Sequence, residues 1–332
     1  MKPCVVILLL ASMRFVKPES LSDSMEAAIR SGEFKKITSI LVTRSGKIEY
    51  ERYFDGDAQS LRNTRSATKT VTGMLIGIAI EKGLIPGVTA PVLPYFADHQ
   101  PFKNSDPLKS KITVEDLLTM NSWLDCDDNV DGSPGNEDRM HEAADWVRFT
   151  FDLPVRRARG WSYCTAGVAM LGEVLQRATR TTVPEFAQKN LFDPLGIRNP
   201  KWQLSPTGVA MTGGGLELAT RDLMKLAQLY MNKGVWNGKR ILSEQWVQKS
   251  THPLLRIDDH TEYGYLWWIT DFKSGGKSYP AYFMTGNGGN KVVAIPGSDL
   301  IVVITSTNYN TRGMHQQTER LLTEYLLPQF AK

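Results

Sequence analysis

Thr64-Arg65-Ser66-Ala67-Thr68-Lys69-Thr70-Val71-Thr72-Gly73 is the stretch on which the reading of this chain turns. It leads into Met74, Leu75, Ile78 and Ala79, apolar residues at helical spacing, and the pattern runs to Lys82 before Gly83 closes it. Gly73 and Gly77 lie four apart on this helix and allow a neighbour to approach closely. A Ser and a Lys three residues apart on a helix share one face. With Ser66 opening the helix, the N-terminus supplies free N–H groups and a positive field, which favour negative charge developing there. A serine hydroxyl is a weak nucleophile until its proton is removed. A lysine removes it only where burial or a cationic neighbour favours the neutral amine. The alternative is Ser66 as a helix cap with Lys69 in solvent. Four residues alone decide little: with 21 Ser and 20 Lys in the chain, about one Ser-x-x-Lys arises by chance. Ser274-Gly275-Gly276-Lys277 is such a match, in a glycine-rich loop where nothing fixes its geometry.

Outward from this helix the pattern changes twice. Upstream, residues 24–33 read as a short helix ending at Gly32. Ser39–Thr43 and Lys47–Tyr53, joined by Ser45-Gly46, read as a β-hairpin. Downstream, helices continue to about residue 250. Val114–Leu118 and Asp145–Phe151 are short ones, Thr182 caps a start at Val183-Pro184-Glu185, and Thr220 caps a helix carrying Leu223, Leu226, Ala227 and Tyr230. From about 260 strands return at Tyr263–Ile269, Tyr279–Thr285, Lys291–Ile295 and Leu300–Thr305, before an amphipathic helix over 313–327. Strands at both ends with helices between predict an α/β chain of the α+β type, with a central antiparallel sheet flanked by helices and an inserted helical lobe. A single domain over 20–332 is expected, its sheet lobe at about 20–65 and 258–332 and its helical lobe at about 66–257. A cleft between sheet and lobe is the natural place for a site.

Composition narrows the function classes. The chain has 332 residues, 42% hydrophobic and 22% charged, with a net charge of +4 and no basic block interleaved with aromatics, so nucleic acid is not expected as a partner. Residues 1–19 carry one early charge and an apolar run from Val5 to Ala11, too short for a membrane span of about 20 residues and closer to a signal-peptide core. Export to a periplasmic or extracellular compartment is the expectation, with a buried N-terminal strand and a cytoplasmic protein as the alternative. Cys4, Cys126 and Cys164 fit no zinc spacing and are expected as unpaired small residues, although Cys126 and Cys164 would be free to pair in an oxidising compartment. Neither Gly-x-Ser-x-Gly nor His-Glu-x-x-His occurs, and Gly275-Gly276-Lys277-Ser278 lacks the upstream glycine of a phosphate loop. The histidines 99, 141, 252, 260 and 315 show no metal spacing and read as surface or loop residues. Asp125, Asp127 and Asp128 read as a solvated acidic loop. Trp123, Trp161, Trp267 and Trp268 read as packing residues, with one or two walling the cleft. No metal and no organic cofactor is implied.

The Thr64–Gly73 run resembles the nucleophile segment of the serine β-lactamase and penicillin-binding-protein superfamily, nearest to its class C-like branch of esterases and aminohexanoate-dimer hydrolases. The likeness continues in order through Ile112–Met120, Gly160-Trp161-Ser162-Tyr163-Cys164-Thr165, Gly213-Gly214-Gly215-Leu216, Tyr263–Trp268 and Thr285-Gly286-Asn287-Gly288-Gly289, covering about residues 24–330. It implies Ser66 as nucleophile, Lys69 as its proton acceptor or electrostatic support, and Tyr163 as the phenol that protonates the leaving group. It also implies an oxyanion hole from the backbone N–H groups of Ser66 and of Asn287, which follows the family's edge strand. Thr165, Met284, Thr285 and Gly286 occupy its substrate-binding positions. Two elements depart from the family. Tyr-x-Asn reads Tyr163-Cys164-Thr165, without the amide, and the Lys-Thr-Gly element reads Met284-Thr285-Gly286, without the cation that holds a substrate carboxylate. The implied activity is therefore hydrolysis of a small ester or amide through an acyl-enzyme. A β-lactamase or D,D-peptidase, and a non-catalytic binding protein that kept the fold, are the alternatives.

Overall fold

The computed structural model describes residues 20–331; the N-terminal segment read as a signal, with Cys4, lies outside them. Eight strands form one antiparallel sheet: β1 (Ile37–Arg44), β2 (Lys47–Tyr53), β3 (Leu255–Arg256), β4 (Thr261–Tyr263), β5 (Trp268–Ser274), β6 (Lys277–Gly286), β7 (Asn290–Ile295) and β8 (Leu300–Ser306). Their order across the sheet is β2-β1-β8-β7-β6-β5-β4-β3, so the N-terminal hairpin joins the C-terminal strands where β1 pairs with β8. β6 is flanked by β5 and β7 along its length. It is not an edge strand, as the resemblance had implied, because β3, β4 and β5 extend the sheet beyond it.

Strand alternation sends successive side chains to two different cores. Ile40, Val42, Val293, Ile295, Val302 and Ile304 face a layer made by α1 (Leu21–Arg30) and the C-terminal helical segment, through Met25, Ile29, Leu322 and Leu326. Leu41, Val292, Ile301 and Val303 face the helical lobe. At the centre of that lobe lies α2 (Thr68–Glu81), buried from Thr68 to Ala79: it is apolar all round from Met74 to Ala79 apart from Gly77, while its first turns carry Thr68, Lys69, Thr70 and Thr72, each hydrogen-bonded. Its two glycines admit neighbours as expected: a Cβ on Gly73 would lie 3.2 Å from the Tyr265 carbonyl, and one on Gly77 would enter the Trp246 ring. Among the described residues no helix is long and apolar enough to cross a membrane.

Four expectations are corrected. Tyr263–Ile269 is two strands, because Gly264 packs on the Ser250 carbonyl and Leu266 takes a positive φ of 57°, its N–H bonding to Leu118 O. Thr220 is the first residue of α4 (Thr220–Met231), not its cap, and its hydroxyl bonds that of Ser39 instead. Ser66 does not open the long helix: it sits in a 3-10 turn, Arg65–Ala67, that feeds α2. Cys126 and Cys164 form a disulfide, their Cα atoms 5.4 Å apart, and the pairing joins the acidic loop to the start of α3 (Thr165–Thr179).

Candidate active site

The nucleophile turn is held from several sides. Arg65 is left-handed, with φ 52°, a conformation that costs an L-residue roughly 1–2 kcal/mol. It is fixed there by the Arg65 N–H to Asn63 Oδ1 bond of 3.0 Å and by stacking of its guanidinium 4.4 Å from the Tyr309 ring centroid. Thr68 closes the turn with its hydroxyl on Arg65 O at 2.7 Å. The resulting kink leaves Ser66 half-buried and facing a cavity of about 360 Å³, lined also by Asp128, Glu137, Tyr163, Trp268, Thr285, Gly286, Asn287 and His315. Ser66 also borders a smaller, polar cavity of about 190 Å³ with Arg65, Glu137 and His141.

Lys69 lies one turn on and is only 1% exposed. Its Nζ donates to Ser66 Oγ at 3.2 Å and to Gly213 O at 2.6 Å, and lies 4.9 Å from the Tyr163 ring centroid. The alternative of a solvated lysine is thereby removed. Gly213 earns its place in the Gly213–Leu216 element by presenting that carbonyl. Tyr163 packs between Trp161 and Trp268, at 6.1 and 5.8 Å between ring centroids. Trp268 walls the cavity, while Trp267 is core.

Gly286, at the end of β6, sits directly on the nucleophile turn: a Cβ there would overlap Thr64 O and lie 2.9 Å from Ser66 N. The next residue, Asn287, is clamped by a reciprocal pair with Asn310, Nδ2 to Oδ1 at 2.6 Å and the Asn310 N–H to Oδ1 at 2.8 Å. Buried Asn290 holds its carbonyl at 2.8 Å. Among the described residues, neither the Ser66 nor the Asn287 N–H is taken by a protein acceptor. Two backbone donors thus border the cavity on the side of the nucleophile.

Of the other residues singled out, Thr285 and Gly286 line the cavity. Met284 does not. It faces the helical core and is fully buried, because alternation along β6 turns it away from Thr285. Thr165 is likewise fully buried, and its backbone N–H donates to Asp128 Oδ2 at 2.8 Å.

Asp128 was read as a solvated loop acid and is not one. Burial pushes its carboxyl up to about 6, against the opposing charge of Lys69. His315 was read as a surface residue, yet it lines the cavity with Nδ1 3.4 Å from Thr285 Oγ1. Burial and the neighbouring Lys291 hold it down at about 4, so it is neutral at pH 7. Glu137, missed altogether, borders both cavities; burial raises its carboxyl, but His141, Lys69 and Arg65 outweigh that and leave it below the usual range. Among the described residues no group of three His, Cys, Asp or Glu is placed to hold a metal ion.

The model of the beta-lactamase family matches residues 36–326. The chain belongs to that family. It is 24% identical over 305 residues to the 6-aminohexanoate-dimer hydrolase of Paenarthrobacter ureafaciens, covering 83% of this chain and 74% of that one. It is 30% identical over 196 residues to the lovastatin esterase of Penicillium rubens, covering 47% of each. Among solved structures it resembles EstCE1, described as a hydrolase with promiscuous acyltransferase activity, at a TM-score of 0.72 and 14% identity over 91% of this chain and 97% of that one. A penicillin binding protein from Bacillus halodurans matches at a TM-score of 0.67 and 19% identity over 91% and 98%. The fold is thus the β-lactamase/transpeptidase-like one, and the relatives are hydrolases.

Proposed function

We propose that this protein hydrolyses small esters or amides through an acyl-enzyme on Ser66. The observation that carries the reading is the buried Lys69 amine, 3.2 Å from a Ser66 hydroxyl that faces a cavity beside Tyr163. In this mechanism Lys69 takes the Ser66 proton as Oγ attacks the substrate carbonyl. The developing oxyanion is met by the N–H groups of Ser66 and Asn287, an effect worth about 2.7–4 kcal/mol per donor. The Tyr163 hydroxyl protonates the departing alcohol or amine and is reprotonated from Lys69. Water then releases the acid by the same route in reverse. The cavity, about 360 Å³, suits a small substrate.

Position 284 favours esters or simple amides over β-lactams. Met284 is buried, and His315, the basic side chain beside Thr285, is neutral at pH 7. Lys291, paired with Thr285 across the sheet, is buried and does not line the cavity, so a substrate carboxylate in the cavity would lack a direct charged partner there, a loss of about 10- to 100-fold for one charge-assisted hydrogen bond. The disulfide supports the companion proposal of export, since such bonds persist in oxidising compartments.

The test is a fluorophosphonate probe on the wild type and Ser66→Ala, with the adduct mapped by mass spectrometry, followed by p-nitrophenyl esters, anilides and a chromogenic cephalosporin. A single adduct on Ser66, absent from the variant, and ester turnover well above cephalosporin turnover are expected. A folded wild type with no adduct would return the non-catalytic reading, and efficient cephalosporin hydrolysis the β-lactamase one.

A further inference from the structure

The two cavities at Ser66 differ in what lines them. Ser66 and Asn287, which carry the two oxyanion donors, border both. Tyr163 borders the larger one, of about 360 Å³, and not the smaller. A leaving group protonated by the Tyr163 hydroxyl therefore lies in the larger cavity, and the acyl group faces the smaller. The charge of the larger cavity is one-sided. Its titratable lining residues are Asp128, Glu137, Tyr163 and His315. Lys69 is 1% exposed and turned to Ser66 Oγ and Gly213 O, and Arg65 borders the smaller cavity, its guanidinium on Tyr309. His315 adds no charge. Thr285 donates its one hydroxyl proton to Asn290 O at 2.9 Å, so the 3.4 Å contact is His315 Nδ1–H donating to Thr285 Oγ1, and the neutral ring keeps a lone pair on Nε2.

The two carboxylates are held together. Buried Asn136 caps the short helix Glu137–Glu142, its Oδ1 accepting from the Asp138 N–H at 3.0 Å, while its Nδ2 donates to Asp128 O at 3.2 Å. Asp128 Oδ1 is buried without a protein partner, and the Glu137 side chain, 3.5 Å from His141, remains 31% exposed. The half-buried ring of Trp268 belongs to the same wall. Carboxylates beside an aromatic face complement an ammonium, whether a protonated amine or a quaternary one. We propose that Glu137 and Asp128 are specificity residues that select substrates whose leaving group carries an ammonium, as in esters of amino alcohols and amides of diamines. Both acids are ionised at neutral pH, Glu137 lying below the usual carboxylate range and Asp128, raised by burial, at about 6. The chemistry is that of the acyl-enzyme. The acyl group passes to Ser66 Oγ, the ester or amide bond breaks, and the amino alcohol or diamine departs with the proton from Tyr163, its ammonium intact.

The proposal rests on the acyl-enzyme reading, and the experiment separates the two. Acetylthiocholine and its uncharged isostere, S-(3,3-dimethylbutyl) thioacetate, are compared by thiol release at neutral pH for wild type, Glu137→Gln and Asp128→Asn, with thermal melts of each. In parallel, choline and 3,3-dimethylbutan-1-ol are titrated as protectants against fluorophosphonate labelling of Ser66. The uncharged member of each pair is the less hydrated, so preference for the cation requires a site for charge. Wild type should favour acetylthiocholine by about tenfold in kcat/KM, the gain of one cation–π contact and a partly solvated ion pair. Choline should protect at about tenfold lower concentration than the alcohol. Each substitution should lower both ratios by about threefold or more; a ratio read within one variant is not imitated by a general loss of activity. Raised salt should lower the wild-type ratios by screening, and it carries the test of charge if neither variant folds. Wild-type ratios near or below one overturn the proposal, as do ratios that both folded variants leave unchanged. If neither thioester turns over, the protection ratio decides. No adduct on wild-type Ser66 and no thiol release refute the acyl-enzyme reading instead.

Discussion

Replacing both Cys126 and Cys164 by Ala tests how the site is held together. The disulfide spans a sequence separation of 38. Closing a loop of that length removes about 13 cal/mol/K of entropy from the unfolded chain, or about 4 kcal/mol at 25 °C. In the folded protein the same two segments are joined by other bonds: the Asp128 N–H to Tyr163 O, the Thr165 N–H to Asp128 Oδ2 at 2.8 Å, and the Ser162 hydroxyl to Cys126 O at 2.5 Å. The bridge should therefore act mainly on the unfolded state and leave the placement of Tyr163 and Asp128 to the hydrogen bonds. Urea unfolding followed by tryptophan fluorescence should show the double variant less stable by about 4 kcal/mol, with ester turnover by the folded protein within a few-fold of wild type. A thiol reductant should bring the wild type down to the variant and leave the variant unchanged. A loss below about 1 kcal/mol would refute the loop-entropy argument. Abolished turnover in a variant shown to be folded would refute the claim that hydrogen bonds suffice to place the site.

Two further outcomes follow from close contacts and buried charge. Gly286→Ala puts a methyl group against Thr64 O and 2.9 Å from Ser66 N. It should displace the nucleophile turn and lower kcat/KM by about 10²-fold or more while the circular dichroism stays native; near-wild-type turnover would contradict the packing. Lys291, paired across the sheet with Thr285, is 4% exposed, and burial lowers its amine from 10.5 to about 8. The unfolded chain therefore holds that proton more tightly, so stability rises with pH between about 8 and 10.5 and sits at its lower level below 8. The gap between 10.5 and about 8, at 1.36 kcal/mol for each step of one, sets an upper bound of about 3 kcal/mol. Lys291→Met should gain up to that amount at pH 7 and flatten the rise; denaturant titrations at pH 7 and 10 that show equal stabilities for wild type would remove the argument.

What could be read from the sequence was what depends on near neighbours. Ser66 and Lys69 share a face because they are three apart, and that held although the α-helix begins two residues later than expected. The hairpin of β1 and β2 and the strand–helix–strand order were legible for the same reason, since periodicity reports which face is buried. The polar elements of the site were less so. Met284 and Thr285 are adjacent, and only the observed strand shows which of them alternation turns toward the cavity. His315 and Glu137 carry no local signal at all: each enters the site because a distant element, β6 or the nucleophile turn, packs beside it.

Asp128 is the instructive failure, because it and the cysteines were misread by one and the same step. An Asp-rich loop after Leu124 has the composition of a solvated turn, and nothing local contradicts that. Yet Cys126 stands two residues before Asp128, and Cys164 directly follows Tyr163. Had the pair been taken as bonded, Cα atoms about 5.5 Å apart would have brought Asp128 into contact range of Tyr163 and Thr165. A carboxylate there, beside a buried lysine, no longer reads as solvated. Long-range covalent pairing is thus the one sequence-level statement that carries tertiary information about this site, and its absence from the reading removed Asp128 along with it. The same logic bears on the altered Tyr-x-Asn element. Judged alone, Thr165 is a loss of function, since a hydroxyl replaces an amide. Judged with the disulfide, its backbone N–H is the anchor for Asp128, a buried carboxyl that feels the charge of Lys69.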